Sequence, residues 1–550
     1  MTDAPSNPGA QAPEAQHLMA EIGAALREQD IPRAIQLARA ALDFGVTNPT
    51  LLSLRSLGFE QQGKLEEALA DLQAARRLAP DRFDILNALG LCLMQAERSR
   101  EAFEAFDAAL ELQPAFAPAW CNRGVAQEHL GELEAARESH LKAVELKPDF
   151  AEPLASLAAI AVRRRDLEGA KAFAARALAL NPQHGNAVIA KATAEVQSDE
   201  PVAAETGLKA LLSGPQITPF DRAHALGVLG DALDAQDRTA EAFQAWTDGN
   251  LVMRDLYKAR FEGPGVQTLP MTLKWLSNHF SGSAAGWGGP RRAGPGAGEK
   301  AHVFLMGFPR SGTTLLEQVL ASHPEVVSLE ERETLTESAV DFLSDEGGLT
   351  RLAAASVADL EPYRRAYWGR VRDAGVGVTG KVFVDKLPLN TIKLPVIAKL
   401  FPEAKILFAV RDPRDVVLSG FRHRFRMNAS MYELLTLEGA ARLYAGVMDL
   451  GQLYAEKLQM SARRHRYEDL VTDFDTEVKA IFAFLGLPWR DEVRNFAERA
   501  RAGLSATPSA AQVARGLYRG DGQWRRYARE LEPAIAILKP WIERFGYAGD

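Results

Sequence analysis

Val303-Phe304-Leu305-Met306-Gly307-Phe308-Pro309-Arg310-Ser311-Gly312-Thr313-Thr314-Leu315 decides how the C-terminal half of this chain is read. A short apolar run ends at a glycine, and a helical pattern runs from Thr313 to Ser322. A strand–glycine–helix turn aims backbone N–H groups and a helix N-terminus at an anion, with threonine hydroxyls beside them. The spacing from Gly307 to Gly312 is that of a nucleotide phosphate loop, Gly-x-x-x-x-Gly. Thr313, however, stands where a nucleoside triphosphatase carries lysine, so nothing there reaches a γ-phosphate. Arg310, inside the loop, supplies the cation instead. The loop therefore suits a diphosphate-like group without a metal-bound γ-phosphate.

Working outward, Lys381-Val382-Phe383-Val384 and Ile406-Leu407-Phe408-Ala409-Val410 read as further strands, the second followed by Arg411-Asp412-Pro413 and a helix. Strands alternating with helices predict a parallel sheet covered on both faces. Ligands in such folds bind at the carboxyl ends of the strands, where the Gly307 and Arg411 loops lie. Arg411 offers a fork of donors to a phosphate. Ser419 lies two helical turns further on, so both can face one anion.

The N-terminal half is periodic. Pro80, Pro114, Pro148 and Pro182 are 34 residues apart. Leu86, Leu89, Gly90 and Leu93 share one helix, and Ala102, Phe106 and Ala109 the next; Trp120, Gly124, Ala136 and Ala143 repeat the scheme. Small residues (Gly90 with Ala102, Gly124 with Ala136) let antiparallel helices approach, and each proline ends the second helix. One hairpin cannot bury its own apolar face, so neighbours stack. The pattern resembles the tetratricopeptide repeat, clearest over 49–182 and degraded on either side. The expected organisation is a disordered N-terminus (1–14), a helical repeat solenoid (15–260), a helix and Gly/Pro-rich linker (261–300) and an α/β domain (301–550). Nothing in the linker is expected to pack a core.

The net charge of −8 argues against a general nucleic-acid binder. Two cysteines, Cys92 and Cys121, exclude a disulfide framework and read as small buried residues. No metal-ligand spacing, secretory signal or membrane span is visible, which gives a cytoplasmic expectation.

Phe308-Pro-Arg-Ser-Gly-Thr-Thr-Leu315 resembles the 5′-phosphosulfate loop of sulfotransferases, and Val410-Arg-Asp-Pro-Arg-Asp-Val-Val-Leu-Ser419 is similar to their 3′-phosphate loop. The resemblance is to bacterial enzymes that join tetratricopeptide repeats to a sulfotransferase domain, and within that domain to tyrosylprotein sulfotransferases. It implies an α-helical repeat solenoid followed by a phosphate-loop-like α/β domain with a central parallel sheet. It also implies 3′-phosphoadenosine-5′-phosphosulfate (PAPS) as donor and no metal. Pro309, Arg310, Ser311, Gly312, Thr313, Thr314, Arg411 and Ser419 then hold the donor. Glu331, the second acid of Glu330-Glu331, maps to the general base, and Lys386 to the lysine that stabilises the leaving phosphate. Tyr467 maps to a nucleotide contact. Ser509 maps to a residue near the sulfuryl oxygens, and Trp524 to the anchor of a closing loop. The closing loop departs from the family at Ala514 and Gln523, and His423 replaces an arginine of the tyrosyl enzymes. The repeats imply a protein or peptide partner. Protein tyrosine, a glycan and a lipid-linked sugar stay open as acceptors. A small-molecule kinase and an inactive scaffold stay open as other functions.

Overall fold

Helices starting at Pro49, Phe83, Ala117, Ala151 and Gly185 are 34 residues apart. Their partners start at Ile31, Leu65, Ser99, Leu133 and Leu167 in the same step. This is a computed structural model, and it describes residues 11–215, 217–282, 287, 296–502, 513, 516–517 and 520–548. The chain divides into two units, one ending at Ser198 and one starting at Asp199.

In the first unit, helices stop at Leu78, Leu112, Leu146 and Leu180, two residues before each proline of the period. The residue after each stop is extended or nearly so, as a chain approaching proline requires. The turn inside each hairpin passes through a left-handed residue: Gln29, Gly63, Glu97, Gly131 and Arg165. The glycines do this freely, whereas each longer side chain costs roughly 1–2 kcal/mol.

A ring of the partner helix joins the small residues expected at the helix contact. A Cβ on Gly90 would stand 2.4 Å from the Phe106 ring, and one on Gly124 would stand 2.6 Å from the His140 ring. The glycine makes room for a ring of the partner helix. Ala102 and Ala136 are fully buried. Cys92 and Cys121 are buried in these helices.

The second unit begins with helices Pro201–Leu212, Pro219–Asp234, Thr239–Glu262 and Leu269–Ser281. It continues into a five-stranded sheet of β1 (Ala301–Gly307), β2 (Val326–Glu330), β3 (Val382–Lys386), β4 (Lys405–Val410) and β5 (Ser461–Arg466). The order is β2-β3-β1-β4-β5, and every pairing is parallel. Alternate residues of β1 enter opposite cores. Phe304 and Met306 face one that includes helices Val357–Asp373, Leu437–Lys457 and Glu532–Arg544. Val303 and Leu305 face the other, with helices Thr313–Ala321 and Phe474–Leu485. This double burial is why the strands read as continuous apolar runs. β2, a short Val-Val-Ser-Leu-Glu segment, and β5, whose sequence is polar, are additions to the strands expected from the sequence.

Trp287 corrects the reading of the Gly/Pro-rich stretch. It is buried in the first of these cores, 4.9 Å from the Phe280 ring.

Hairpin 219–262 packs against the sheet domain within this unit. Asp234 accepts from Arg526 (2.6 Å), Tyr527 Oη (2.5 Å) and Arg422 (3.4 Å). Asp231 accepts from Arg424 (2.6 Å), and Asn250 donates to the Phe421 carbonyl (2.8 Å). Among the described residues no helix is long and apolar enough to cross a membrane.

Gly90→Ala is expected to lower the denaturation midpoint of the full chain by the equivalent of about 1–3 kcal/mol through overpacking. Adding Phe106→Leu should recover part of that loss. Additive destabilisation in the double variant would show that the two residues do not share the space.

Candidate functional site

The five strands point their carboxyl ends the same way, and each delivers a side chain to that edge. At β1, a Cβ on Gly307 would stand 2.4 Å from the Ala409 carbonyl oxygen, so glycine lets β1 pair with β4 right up to the loop. Gly312 has φ +89°, and a Cβ there would stand 2.6 Å from the Tyr467 ring. Arg310 holds φ +73°, a strained value for a residue with a side chain. Pro309, Ser311, Thr313 and Thr314 are buried.

Arg310 Nε donates to Ser419 Oγ at 2.9 Å, across the gap between the two loops. Arg411 Nη1 donates to the Arg310 carbonyl at 3.4 Å, and its Nη2 to the Gly520 carbonyl. Its guanidinium lies 4.8 Å from the Tyr467 ring centroid. Tyr467 opens the helix after β5 and is buried. Arg310, Arg411, Ser419 and Tyr467 are thus brought together, with Arg411 and Ser419 meeting through Arg310. Burial, then Arg411 and Arg422, push the Arg310 guanidinium down to about 10. A site that discourages its own cation is one an anion would relieve. Ser311 Oγ and Arg411 Nε are buried without a hydrogen-bond partner among the described residues, so donors are left over for an anionic ligand.

A second cluster lies at β2 and β3. Lys386, the last residue of β3, is fully buried. Its Nζ lies 2.8 Å from Glu331, 3.3 Å from Glu317 and 3.5 Å from Glu330. Burial alone would push the ammonium down, but the carboxylates of Glu317, Glu331 and Glu330 outweigh it and hold it above the ordinary lysine value. Glu331 follows β2 at φ +46° and donates its N–H to the Lys386 carbonyl at 2.7 Å. Behind it, Thr334 and Tyr367 donate to Asp385 at 2.9 and 2.8 Å. Burial pushes the Asp385 carboxyl up to about 6.

Asp415, in the helix after Arg411, grips the chain beyond. Asp415 accepts the backbone N–H groups of Gly522 (2.7 Å) and Trp524 (2.8 Å). The Trp524 ring packs 3.8 Å from the guanidinium carbon of Arg414 rather than on Arg411. Ser509 lies outside the described residues. His423 is kept neutral, its pKa pushed well down by burial and by Arg310, Arg424 and Arg422. Among the described residues no three His, Cys, Asp or Glu side chains are grouped to hold a metal ion.

Glu317 escaped the sequence reading. The available signal was a lone charge in an otherwise uncharged helix, Thr313–Ala321.

Residues 302–491 match the model of a sulfotransferase family, and residues 55–117 and 93–149 match a tetratricopeptide-repeat model. An uncharacterized protein of Aquifex aeolicus is 26% identical over 61% of this chain and 44% of its own length. Protein-tyrosine sulfotransferase 1 of Danio rerio is 25% identical over 44% of this chain and 72% of its own length. Protein-tyrosine sulfotransferase 2 of Gallus gallus is 28% identical over 36% and 54%. The chain therefore spans under half of the Aquifex protein and roughly half to three quarters of the two vertebrate proteins. In one polypeptide, a segment matching the tetratricopeptide-repeat model is followed by one matching the sulfotransferase model, and the second match spans the sheet from His302 onward with both phosphate-type loops.

Proposed function

We propose that this protein transfers a sulfuryl group from PAPS to an acceptor hydroxyl, and that its repeats (15–260 on the sequence division) recruit the acceptor or a partner protein. The observation that carries the reading is the meeting of the β1 and β4 loops through Arg310, Ser419 and Arg411. Two anion cradles on neighbouring strands suit a donor with a phosphosulfate at one end of its ribose and a phosphate at the other.

The 308–314 loop, with Arg310, Ser311, Thr313 and Thr314, holds the phosphosulfate end. Arg411 and Ser419 hold the 3′-phosphate, and Tyr467 flanks the nucleotide. The acceptor oxygen bonds to sulfur as the bond between sulfur and the donor's bridging oxygen breaks. The acceptor's proton passes to Glu331. Lys386 faces the charge that grows on the leaving phosphate. Positioning and fixed charge do most of the catalytic work in such a displacement. Ser509 and Trp524 belong to the loop that closes the site, with Asp415 tying its far end to the Arg411 loop. The acceptor is a hydroxyl compound, with protein tyrosine suggested by the names of the vertebrate relatives.

Titration with the desulfated donor PAP, beside AMP and magnesium-free ATP, tests the donor site. PAP is expected to bind tightest, and Arg411→Ala to weaken it by about 10- to 100-fold through loss of charge-assisted hydrogen bonds. Equal binding of all three nucleotides would remove the reading and favour a scaffold, or a kinase if ATP bound with magnesium. Glu331→Gln should lower kcat by about 100-fold or more while PAP affinity stays within a few fold; an unchanged kcat would assign the base elsewhere. Asp415→Ala should weaken PAP binding by about tenfold although Asp415 offers a phosphate no donor. Unaltered affinity would mean that its grip on Gly522 and Trp524 does not shape the site.

A further inference from the structure

Lys386 has three carboxylate neighbours, and they are not equivalent. Glu331 sits on a loop with a strained backbone, and its side chain is 36% exposed. Glu330 is the most distant, at 3.5 Å, with its side chain 22% exposed. Glu317 stands on helix Thr313–Ala321, which springs directly from the phosphate loop, and its side chain is only 2% exposed. Its Oε2 lies 3.3 Å from the ammonium. Ser328 of β2 is its other polar neighbour.

A fully buried ammonium is tolerated only while it is paired. Yet transfer requires Glu331, the nearest partner, to leave Lys386 and accept a proton from the acceptor. A carboxylate locked on an ammonium is a poor base, and an ammonium held by the base is not free to face a phosphate. The chemistry therefore needs a second, immobile counter-charge that stays when Glu331 turns away. Glu317 is the carboxylate whose burial and helix prevent it from leaving.

We infer that Glu317 is a positioning residue for sulfuryl transfer: it is the permanent partner of Lys386, holding the ammonium charged and in place while Glu331 exchanges between Lys386 and the acceptor hydroxyl. The inference rests on the donor and base assignments above. It adds a division of labour, in which one carboxylate reacts and another stays. It also explains an acid in a helix whose buried positions are otherwise uncharged: the helix that presents the phosphate loop fixes the lysine as well, so both donor contacts move as one body.

The groups facing Lys386 are Glu317 from the helix after β1, Glu330 from β2 and Glu331 from the loop after it. Glu317 is itself faced by Lys386, Glu330 and Ser328. Burial, with Glu330 adding to it, pushes the Glu317 carboxyl up to about 7 although Lys386 opposes the shift, so it is ionised over the alkaline range in which lysine titrates. There it raises the Lys386 pKa, and its removal must lower it.

The test uses the full chain with lysine labelled at Cε with carbon-13. The Lys386 signal is identified by its loss in Lys386→Arg. In Glu317→Gln the Lys386 titration is expected to move down by about one pH unit or more, as loss of an opposite charge at this distance requires. In Glu317→Asp, which keeps the charge on a shorter arm, the shift should be smaller. Turnover of Glu317→Gln should fall by about 10- to 100-fold, with its basic limb moved to lower pH and PAP affinity within about threefold of the parent. Retained PAP binding shows that the variant is folded. An unmoved Lys386 titration, or unchanged kcat and pH profile, overturns the inference. Failure of the parent chain to bind PAP would instead sink the donor reading, while the titration still reports on the pairing.

Discussion

With β1 hydrogen-bonded between β3 and β4, the first loop of the domain cannot be anywhere but beside the loops that follow those two strands. That placement depends on Gly307, because a side chain there would collide with the Ala409 carbonyl and force β1 away from β4. Arg310 reaches Ser419, and Arg411 reaches back to the Arg310 carbonyl, only because this pairing continues to the last residue of β1. The opposite neighbour, β3, brings Lys386 level with Leu305 and with Glu330 of β2. A parallel sheet delivers every strand's carboxyl end to one edge, which makes such convergence cheap to arrange.

Charge is sorted along that edge. Arg310, Arg411 and Arg422 influence one another around β1 and β4, whereas Glu317, Glu330 and Glu331 surround one lysine at β2 and β3. The chain as a whole is acidic, with a net charge of −8, yet cations are concentrated at the loops after β1 and β4. The carboxylates converge instead on the buried ammonium of Lys386. The two groups still sense each other, since Glu331 holds the Arg310 guanidinium up against burial and its cationic neighbours.

The loops after β1 and β4 were legible because their information is local: a strand, a glycine or proline, a cation and a helix start lie within a dozen residues. The 34-residue step was legible for the same reason. What needed the third dimension stayed hidden. Gly90 and Gly124 announced close packing, but only the structure shows that a ring fills the space. β2 is short, and β5 is polar enough in sequence to pass for a loop. Trp287, alone in a glycine-rich stretch, gave no hint that it joins the core. Asp415 holds a segment more than a hundred residues away, and no periodicity encodes that partnership. Glu317 was visible as an oddity but not as a partner, because Lys386 is distant in sequence and its register on β3 decides the contact.

Asp234 is the residue where the final helical hairpin becomes part of the sheet domain. It takes Arg422, from the segment after the Ser419 helix, and Arg526 and Tyr527, from the segment beyond the Asp415 grip. For the history of this gene, that contact marks where modularity stops. Up to Leu180 the helices recur as whole hairpins of one 34-residue step, each packing on its neighbours in the same way. The hairpin at 219–262 departs from that scheme, because its acids have become counter-ions of the enzyme-like half. A cut at the glycine-rich stretch would part the sheet domain from the acids that pair with Arg422, Arg424, Arg526 and Tyr527.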